Sequence, residues 1–339
     1  MCAAQRHWVI PPQKRQPDTR PALRLIDTRK LERADWLEVR KTGIGSSDAA
    51  AAVGLNPYKS QLELWMEKTG RDADLPKPDP KDTTEPVYWG TLLEPIVAAS
   101  YTQKTGRKVR KVNAVLQHPQ FPFMLANLDR EVVGSPLVQI LECKTAGEFG
   151  ARLWKDGVPE YVQLQVQHQL AVANKQAADV AVLICGQRLE VHRILRDDEL
   201  IARLIHLEAK FWEYVTSDTP PPADGSESAD RALRTLYPGN STTVDFSDDR
   251  RLSSTFADLV ALRADIQARE EQAEQMKQTL IQAMGDASTA QFETGCVSFK
   301  RSKDGTRLDV GRLLLNHPEL ALEYAITKPG TRRFRLIQS

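Results

Sequence analysis

The sequence predicts an α/β fold, in which a mixed central sheet is flanked by helices and is followed by a long helix and a small α+β tail. Two observations lead to this prediction. Helical and strand-like segments alternate between residues 36 and 218, which is typical of α/β proteins. From Phe246 to Met284, apolar residues then recur every three or four positions, which predicts one long helix.

Composition limits the class of protein. Of the 339 residues 41% are hydrophobic, enough for a sizeable core, and 46 basic residues are balanced by 45 acidic ones. A nucleic-acid-binding surface would therefore have to be local. The four cysteines are scattered, which favours a reduced, intracellular protein over a disulfide or zinc framework. No apolar run approaches the roughly 18 residues of a membrane helix, so we expect a soluble, cytoplasmic protein with no membrane contact.

Shifts in composition predict four regions. Residues 1–35 are rich in Pro, Gln and Arg and are expected to form an N-terminal arm. Residues 36–218 form the alternating α/β domain. Residues 219–247 begin near three consecutive prolines and are predicted to be a linker. Residues 248–339 hold the long helix and the small α+β module, whose last strand is expected from Arg332 to Ile337.

A Gly/Ser turn precedes the first short helix. The segment Arg40–Asp48 reads RKTGIGSSD and is followed by an Ala-rich run, so Ser47 or Asp48 is a candidate N-cap. The backbone amides at such a helix start suit a phosphate. An ordinary capped helix is the simpler interpretation of this turn alone.

The next long helix is predicted from Val87 to Thr105 and carries Glu94 among apolar residues. Its expected apolar side consists of Trp89, Leu92, Leu93, Ile96, Val97 and Tyr101. Glu94 is either a solvated helix residue or part of a site. After this helix, residues 107–112 alternate basic and apolar side chains as a strand would. That basic face either follows a phosphate backbone or is a wet edge strand.

A predicted hairpin, Leu125–Ala146, concentrates three charges in an apolar neighbourhood. Asp129 lies on its first arm, and Glu142 and Lys144 lie two apart on its second arm. Residues two apart in a strand point to the same face of a sheet. The hairpin therefore predicts that the three side chains meet.

The acid-x-Lys pattern is weak by itself, because the chain contains two further examples. Asp79-Pro-Lys81 lies in a Pro-rich loop, and Glu208-Ala-Lys210 lies on a helix, where residues two apart face different ways. Only Glu142 and Lys144 combine a strand with an upstream aspartate. A salt bridge at a sheet end remains the structural alternative, although burying such charges is costly unless they are paired or bind a metal.

The chemistry that suits this cluster is metal-dependent phosphodiester hydrolysis. Mg²⁺ prefers oxygen ligands and keeps several waters. Asp129 and Glu142 would supply carboxylates, and the backbone carbonyl of Cys143 would add a third ligand. Glu94 is a candidate for a second ion or a base role.

Two further side chains complete the predicted site. Lys144 would orient a water, favour its deprotonation and help to neutralise the charged transition state. Gln165, on a helix that carries four glutamines at every second position, would hold the attacking water or a ligand by hydrogen bonds.

Four segments together carry a family resemblance: residues 40–48 (RKTGIGSSD), 88–95 (YWGTLLEP), 125–145 and 161–183. In order and spacing, across roughly residues 36–215, they resemble the lambda exonuclease and YqaJ-type viral recombinase family of phage alkaline exonucleases. That family implies the restriction-endonuclease-like PD-(D/E)xK fold. It also implies digestion of double-stranded DNA from 5′ to 3′ with Mg²⁺, for which Mn²⁺ can substitute.

The resemblance also implies roles for individual residues. The residues that match the family's catalytic and metal-binding set are Asp129, Glu142, Lys144, Glu94 and Gln165. Arg40 and Ser47 match the pair that grips the terminal 5′-phosphate of DNA. Asn127 stands where the family has a phosphate-contacting serine. Arg152 is the candidate for a further phosphate-binding arginine.

The sequence thus predicts an exonuclease acting on double-stranded DNA ends, which leaves 3′ single-strand overhangs for a partner annealing protein in recombination. The family precedent implies a homo-oligomer, namely a ring-shaped trimer. Two alternatives stay open: a structure-specific or restriction-type endonuclease on the same fold, and a non-catalytic DNA-binding recombination accessory whose charged cluster is only structural.

Overall fold

Two sheets organise the first part of the chain in a computed structural model, which describes residues 21–327, 330 and 332–337. The strands of this part are β1 (Leu23–Asp27), β2 (Ile44–Gly45), β3 (Val109–Lys111), β4 (Ala114–Gln117), β5 (Met124–Ala126), β6 (Arg130–Val132), β7 (Ile140–Ala146), β8 (Ala177–Ile184) and β9 (Arg188–Leu195). One sheet has the order β3-β6-β7-β8-β9, and the other has the order β1-β4-β5-β2. In the first sheet only β7 and β8 are parallel, and in the second only β2 and β5 are. Both sheets are therefore mixed, as predicted.

Helices cover the sheets. They are α1 (Arg33–Lys41), α2 (Ala49–Ala52), α3 (Gln61–Lys68), α4 (Pro86–Thr105), α5 (Glu160–Ala173), α6 (Asp198–Thr216) and α7 (Glu227–Leu236). Val166 and Leu170 of α5 belong to a buried cluster with Val180 of β8 and Met124 of β5, so α5 contacts both sheets. Tyr101 of α4 packs in a separate cluster with Leu141, on the other face of the five-stranded sheet. The predicted fold class is confirmed.

Strand β7 alternates between these two cores, as a strand with two buried faces must. Ile140 belongs to the cluster of α5, and Leu141 belongs to the cluster of α4. Glu142 and Lys144 continue the phase of Ile140 and therefore face α5. The sequence pattern thus placed both charges correctly on one face.

Gly43 allows the turn before α2 to approach the second sheet. A Cβ atom at this position would lie 2.6 Å from the carbonyl oxygen of Phe123, a distance that any larger residue would have to relieve by moving the backbone. The neighbouring N–H of Ile44 donates to the same oxygen at 2.6 Å. This contact starts the parallel pairing of Ile44 with Met124 and of Gly45 with Leu125.

The apolar side predicted for α4 is only partly buried. Val97 and Tyr101 are fully buried, whereas Trp89, Leu92 and Ile96 are 47%, 49% and 51% exposed. The first half of the helix lines a cleft instead of packing on the sheet. Apolar periodicity identified the helix but could not distinguish these two environments.

The region boundaries also differ from the sequence prediction. Residues 1–20 of the expected arm lie outside the described residues, and Leu23–Asp27 pairs antiparallel with β4. Within residues 219–247, α7 packs on α3, where Ser228 Oγ donates to Glu63 Oε2 at 2.6 Å. The buried face of this ten-residue helix consists of small residues, Ser228, Ala229 and Ala232, and therefore leaves little apolar pattern to detect. The two compact units of the chain are divided between Tyr237 and Pro238.

The second unit contains the predicted long helix. Its elements are α8 (Arg250–Met284), β10 (Thr289–Phe292), β11 (Gly295–Ser298), α9 (Val310–Asn316) and α10 (Glu319–Glu323). Asp249 caps α8, because its side chain accepts a hydrogen bond from the N–H of Leu252. The strand predicted from Arg332 to Ile337 is wrong, since these residues are irregular. Among the described helices, none combines the length and the apolar character needed to cross a membrane.

Candidate active site

A single cleft of about 370 Å³ brings together the residues predicted from the sequence. It lies between α4, the turn before α2, strand β7 and α5. The nine predicted residues that line it are Arg40, Ser47, Glu94, Asn127, Asp129, Glu142, Cys143, Lys144 and Gln165. Arg152 lies in a 3-10 turn, Gly150–Trp154, and does not line the cleft.

Asp129 lies directly before β6 and turns its carboxylate toward β7. Its Oδ2 accepts a hydrogen bond from the N–H of Cys143 at 2.8 Å. Burial, together with the negative charge of Glu142, raises the pKa of Asp129 to about 8. The site therefore holds two carboxylates close together in a poorly solvated place, where a cation would relieve their repulsion.

Glu142 is 3% exposed, and both of its carboxylate oxygens are bound. Oε1 accepts from Lys144 Nζ at 2.7 Å and from Gln165 Nε2 at 2.6 Å. Oε2 accepts from Gln169 Nε2 at 2.7 Å. A nearly buried carboxylate is tolerable only with such partners, so three donors fix its position.

Lys144 bridges β7 and α5. Besides Glu142, its ammonium group donates to Gln165 Oε1 at 2.9 Å. Burial acts to lower the pKa of Lys144, but the Glu142 carboxylate raises it overall. Lys144 is therefore a cation at neutral pH and contributes hydrogen-bond donors, not a base.

Gln169 belongs to this network, although the sequence analysis did not assign it to the site. It is fully buried and also lies within 3.5 Å of the carbonyl oxygen of Asn127. Its own Oε1 is buried and accepts no hydrogen bond from any residue that the structure describes. A sequence signal existed, because residues four apart share one face of a helix and Gln169 follows Gln165 by four.

His168 joins the same helix to two other elements. Its Nε2 lies 2.9 Å from the carbonyl oxygen of Leu125, and its Nδ1 lies 2.7 Å from Glu208 Oε1. Burial acts to lower the pKa of His168, but the Glu208 carboxylate raises it overall. Glu208 is thus the partner of a buried histidine, which agrees with the exclusion of Glu208-Ala-Lys210 as a catalytic acid-x-Lys pattern.

Glu94 lines the cleft but is held by a cation. Its Oε1 accepts from Arg130 Nη1 at 2.5 Å, and the same nitrogen donates to the carbonyl oxygen of Asp129 at 2.6 Å. Arg130 was not assigned to the site from the sequence, although it directly follows Asp129. Glu94 therefore supports the backbone at Asp129 in this arrangement.

The turn before α2 forms the other end of the cleft. Arg40 Nη2 donates to Ser47 Oγ at 3.1 Å and to Asp48 Oδ1 at 2.8 Å, and Lys68 Nζ donates to Asp48 Oδ2 at 2.8 Å. Burial acts to raise the pKa of Asp48, but Arg40 and Lys68 hold it far below its usual range. Asp48 is the N-cap residue of α2, as predicted, but its side chain makes no capping hydrogen bond because Arg40 and Lys68 bind it. Two cations share one carboxylate, which leaves one positive charge.

A divalent cation fits the chemistry of the carboxylate end. Among the described residues, no three His, Cys, Asp or Glu side chains form a ready-made metal site. Mg²⁺, however, is usually held by one or two carboxylates together with water and substrate oxygens. The N–H and C=O of one strand residue point to the same edge, so the carbonyl of Cys143 faces the same side as its N–H, toward Asp129. Two carboxylates and one carbonyl therefore fit a hard cation.

Comparison with known proteins gives one family and several similar structures. Residues 35–176 match the model of the YqaJ-like viral recombinase domain family. The YqaJ protein of Bacillus subtilis (strain 168) is 36% identical over 269 residues, which are 78% of this chain and 82% of that protein. The crystal structure of an alkaline exonuclease from Laribacter hongkongensis covers 55% of this chain and 93% of its own, with 21% identity and a TM-score of 0.44. A phage-related exonuclease from Haemophilus somnus 129PT covers 54% and 99%, with 13% identity and a TM-score of 0.38.

The raised pKa of Asp129 predicts a pH-dependent stability in the absence of metal. The folded protein keeps a proton that the unfolded chain loses above pH 3.8, so the contribution of Asp129 to stability falls as the pH rises toward about 8. In EDTA at about pH 9, we expect Asp129→Asn to be more stable than the wild type by roughly 1–3 kcal/mol. This advantage should be clearly smaller at about pH 5, and it should vanish only below pH 3.8, where the folded and the unfolded wild type both keep the proton. Denaturant unfolding at both pH values measures this, and a difference that does not change with pH contradicts it.

The contact between Gln169 and Glu142 predicts a second stability change. Gln169→Ala leaves a buried carboxylate oxygen without its donor and should lower the free energy of unfolding by about 1–3 kcal/mol. Gln163→Ala on the same helix is the matched control, because Gln163 is exposed, and its effect should stay within about 0.5 kcal/mol. Equal effects of the two variants in denaturant unfolding would sink this assignment.

Proposed function

The chain belongs to the YqaJ-like viral recombinase family, and we propose that it is a Mg²⁺-dependent exonuclease. It digests double-stranded DNA from 5′ ends and leaves 3′ single-strand overhangs for recombination by strand annealing. The observation that carries this proposal is the single cleft that contains both Asp129, Glu142 and Lys144 and, at its other end, Arg40 and Ser47. A hydrolytic centre and an anion-binding group in one cleft suit a substrate that is cut beside its own phosphorylated end.

Asp129, Glu142 and the carbonyl of Cys143 are the groups that would hold Mg²⁺, and Glu94 would join them only by releasing Arg130. The bound ion supplies positive charge that stabilises the extra negative charge on the scissile phosphate. Without it, the two carboxylates would repel that phosphate. Their closeness is therefore useful only in a site that also binds a cation.

Lys144 provides the remaining charge at the hydrolytic centre. Its ammonium group has three N–H donors, of which two are bound to Glu142 and Gln165. The third can donate to a phosphate oxygen or to the water that attacks phosphorus. Gln165 holds Lys144 and Glu142 apart at fixed distances, because its amide oxygen and nitrogen each bind one of them.

The 5′ end is selected by Arg40 and Ser47, whose guanidinium and hydroxyl groups receive the terminal phosphate. Water then bonds to the phosphorus of the following phosphate, and the bond from that phosphorus to the 3′ oxygen breaks. The 3′ oxygen takes a proton, and a 5′-mononucleotide leaves. The shortened strand again ends in a 5′-phosphate, so the same pocket can receive it.

The proposal includes the setting implied by the family. The enzyme works in the cytoplasm of a bacterial host cell, as a homo-oligomer with a trimer as the family precedent, and hands its product to a single-strand annealing protein. Mn²⁺ is expected to replace Mg²⁺, because both accept oxygen ligands.

Lys144→Ala should reduce the degradation of linear double-stranded DNA at least about a hundredfold, because it removes a cation next to the scissile phosphate. Product release is followed with Mg²⁺ and with EDTA, and thermal unfolding checks the fold. Lys210→Ala on the exposed side of α6 is the matched control. Full activity of Lys144→Ala, or activity that survives EDTA, contradicts the proposed site. DNA binding without any metal-dependent product would support the accessory alternative.

Arg40→Ala should erase a preference for 5′-phosphorylated over 5′-hydroxyl ends, since the guanidinium that binds the terminal phosphate is lost. Ser47→Ala should weaken the same preference with less effect on the fold, because Ser47 is exposed. Both end types are digested in parallel, and covalently closed circles are included. If the wild type cuts closed circles efficiently and ignores the terminal phosphate, the protein is an endonuclease.

A further inference from the structure

A second concave surface lies on the same unit, away from the candidate active site. We call it the basic groove, and its lining residues are Arg24, Arg29, Arg110, Lys111, Val112, Asn113 and Glu131. It occurs where the chain crosses from β3, an edge strand of the five-stranded sheet, to β4 of the other sheet. Edge strand β1 closes it from the other side, and the N–H of Thr28 donates to the carbonyl oxygen of Asn113 at 3.2 Å. The groove is therefore a built feature between two sheets.

The groove carries an excess of positive charge. Arg29 is paired with Asp27, and Arg110 is paired with Glu131. Arg24 and Lys111 are exposed, and among the described residues neither forms an ion pair with a carboxylate, although Asp27 also feels the charge of Arg24. Four cations thus share two carboxylates, Asp27 and Glu131, and the remaining positive charge attracts an extended polyanion.

The groove is connected to the candidate active site through one strand. Glu131 lines the groove and follows Asp129 by two residues. At the rise of a strand, these two positions are about 7 Å apart along the chain. Arg130, between them, donates a hydrogen bond to Glu94 in the cleft. The start of β6 therefore lies next to the cleft, and Glu131, one residue further along the strand, already lines the groove.

The first twenty residues of the sequence do not suit the groove as an occupant. The twenty residues that precede the described chain contain Arg6, Lys14, Arg15 and Arg20 against a single Asp18. A segment of that composition has the same sign of charge as the groove. The favoured ligand is thus an anionic polymer from outside the chain.

We propose that the basic groove binds the sugar-phosphate backbone of the DNA duplex beyond the nucleotide being removed, with Arg24 and Lys111 as its phosphate contacts. This inference rests on the proposed nuclease function for the identity of the polymer. The proposal also selects one of the two interpretations of residues 107–112: their basic side chains contact a phosphate backbone and are not merely the solvent-exposed side chains of an edge strand. Contacts of this kind are independent of sequence and set the affinity and the salt dependence of binding.

The test compares Arg24→Ala/Lys111→Ala with Arg203→Ala/Lys210→Ala, a control that removes two exposed cations from α6. Binding of a fluorescent, 5′-phosphorylated duplex is measured by anisotropy in EDTA over a range of salt concentrations. We expect the groove variant to lose about tenfold or more in affinity and about 1.8 in the slope of log K against log salt, as for two lost phosphate contacts. The control should keep the wild-type slope. Arg24→Lys/Lys111→Arg, which retains both charges, should bind as the wild type does.

Cleavage assays separate this inference from the proposed function. With Mg²⁺, the groove variant should show a lower kcat/KM and an unchanged kcat at saturating DNA, whereas Lys144→Ala should lose kcat and keep DNA affinity. If Lys144 is required for cleavage but the groove variant binds with the wild-type salt slope, the groove proposal is overturned and the nuclease stands. If the wild type does not cleave DNA with Mg²⁺ and, among the variants, the groove variant alone loses affinity, the groove proposal stands and the nuclease proposal falls.

Discussion

The buried carboxylate of Glu142 is the constraint on which the site depends. A charged group that is almost removed from water costs several kcal/mol unless its oxygens are fully bonded. The chain meets this requirement with Lys144 from the same face of β7 and with Gln165 and Gln169 from one face of α5. The strand face that carries Glu142 and Lys144, two residues apart, therefore has to meet the helix face that carries Gln165 and Gln169, four residues apart. This requirement, together with the apolar packing around it, fixes how α5 lies on β7.

Helix α5 also sets the position of the other end of the cleft. Its His168 contacts the carbonyl oxygen of Leu125, and Leu125 pairs with Gly45 of β2. Strand β2 lies between Arg40 and Ser47, and it can approach β5 only because Gly43 has no side chain. One helix thus holds the Glu142 carboxylate through two glutamines and, through one histidine, the strand that pairs with the turn of Arg40 and Ser47. The spacing between a terminal phosphate and the next phosphodiester would be determined by this helix.

Regular periods made much of the arrangement predictable from the sequence. Strand alternation placed Glu142 and Lys144 on one face, and helical spacing identified α4, α5 and α8. The Gly/Ser pattern indicated a phosphate-suited turn at residues 40–48, and the motif resemblance then selected Arg40 and Ser47 within it. Gln169 and Arg130 were missed because their roles depend on contacts between elements distant in sequence. The sequence also did not reveal that Asp48 is shared by Arg40 and Lys68, because such a contact leaves no periodic signal. The same holds for β1, a strand added to the edge of a sheet.

The distribution of charge explains why two basic features would be needed. The chain has a net charge of +1, so long-range attraction of DNA cannot come from the molecule as a whole. Inside the cleft, Lys144 is paired with Glu142 and Arg40 shares Asp48 with Lys68. Such paired cations have a fixed orientation but are largely neutralised, so they would position a phosphate better than they would attract one. Cations outside an ion pair, such as Arg24 and Lys111 in the basic groove, have the opposite property, because less of their charge is offset and their geometry is not fixed. Attraction and positioning would thus fall to different residues, so a protein with a net charge of only +1 could bind a polyanion while its reacting groups stay fixed.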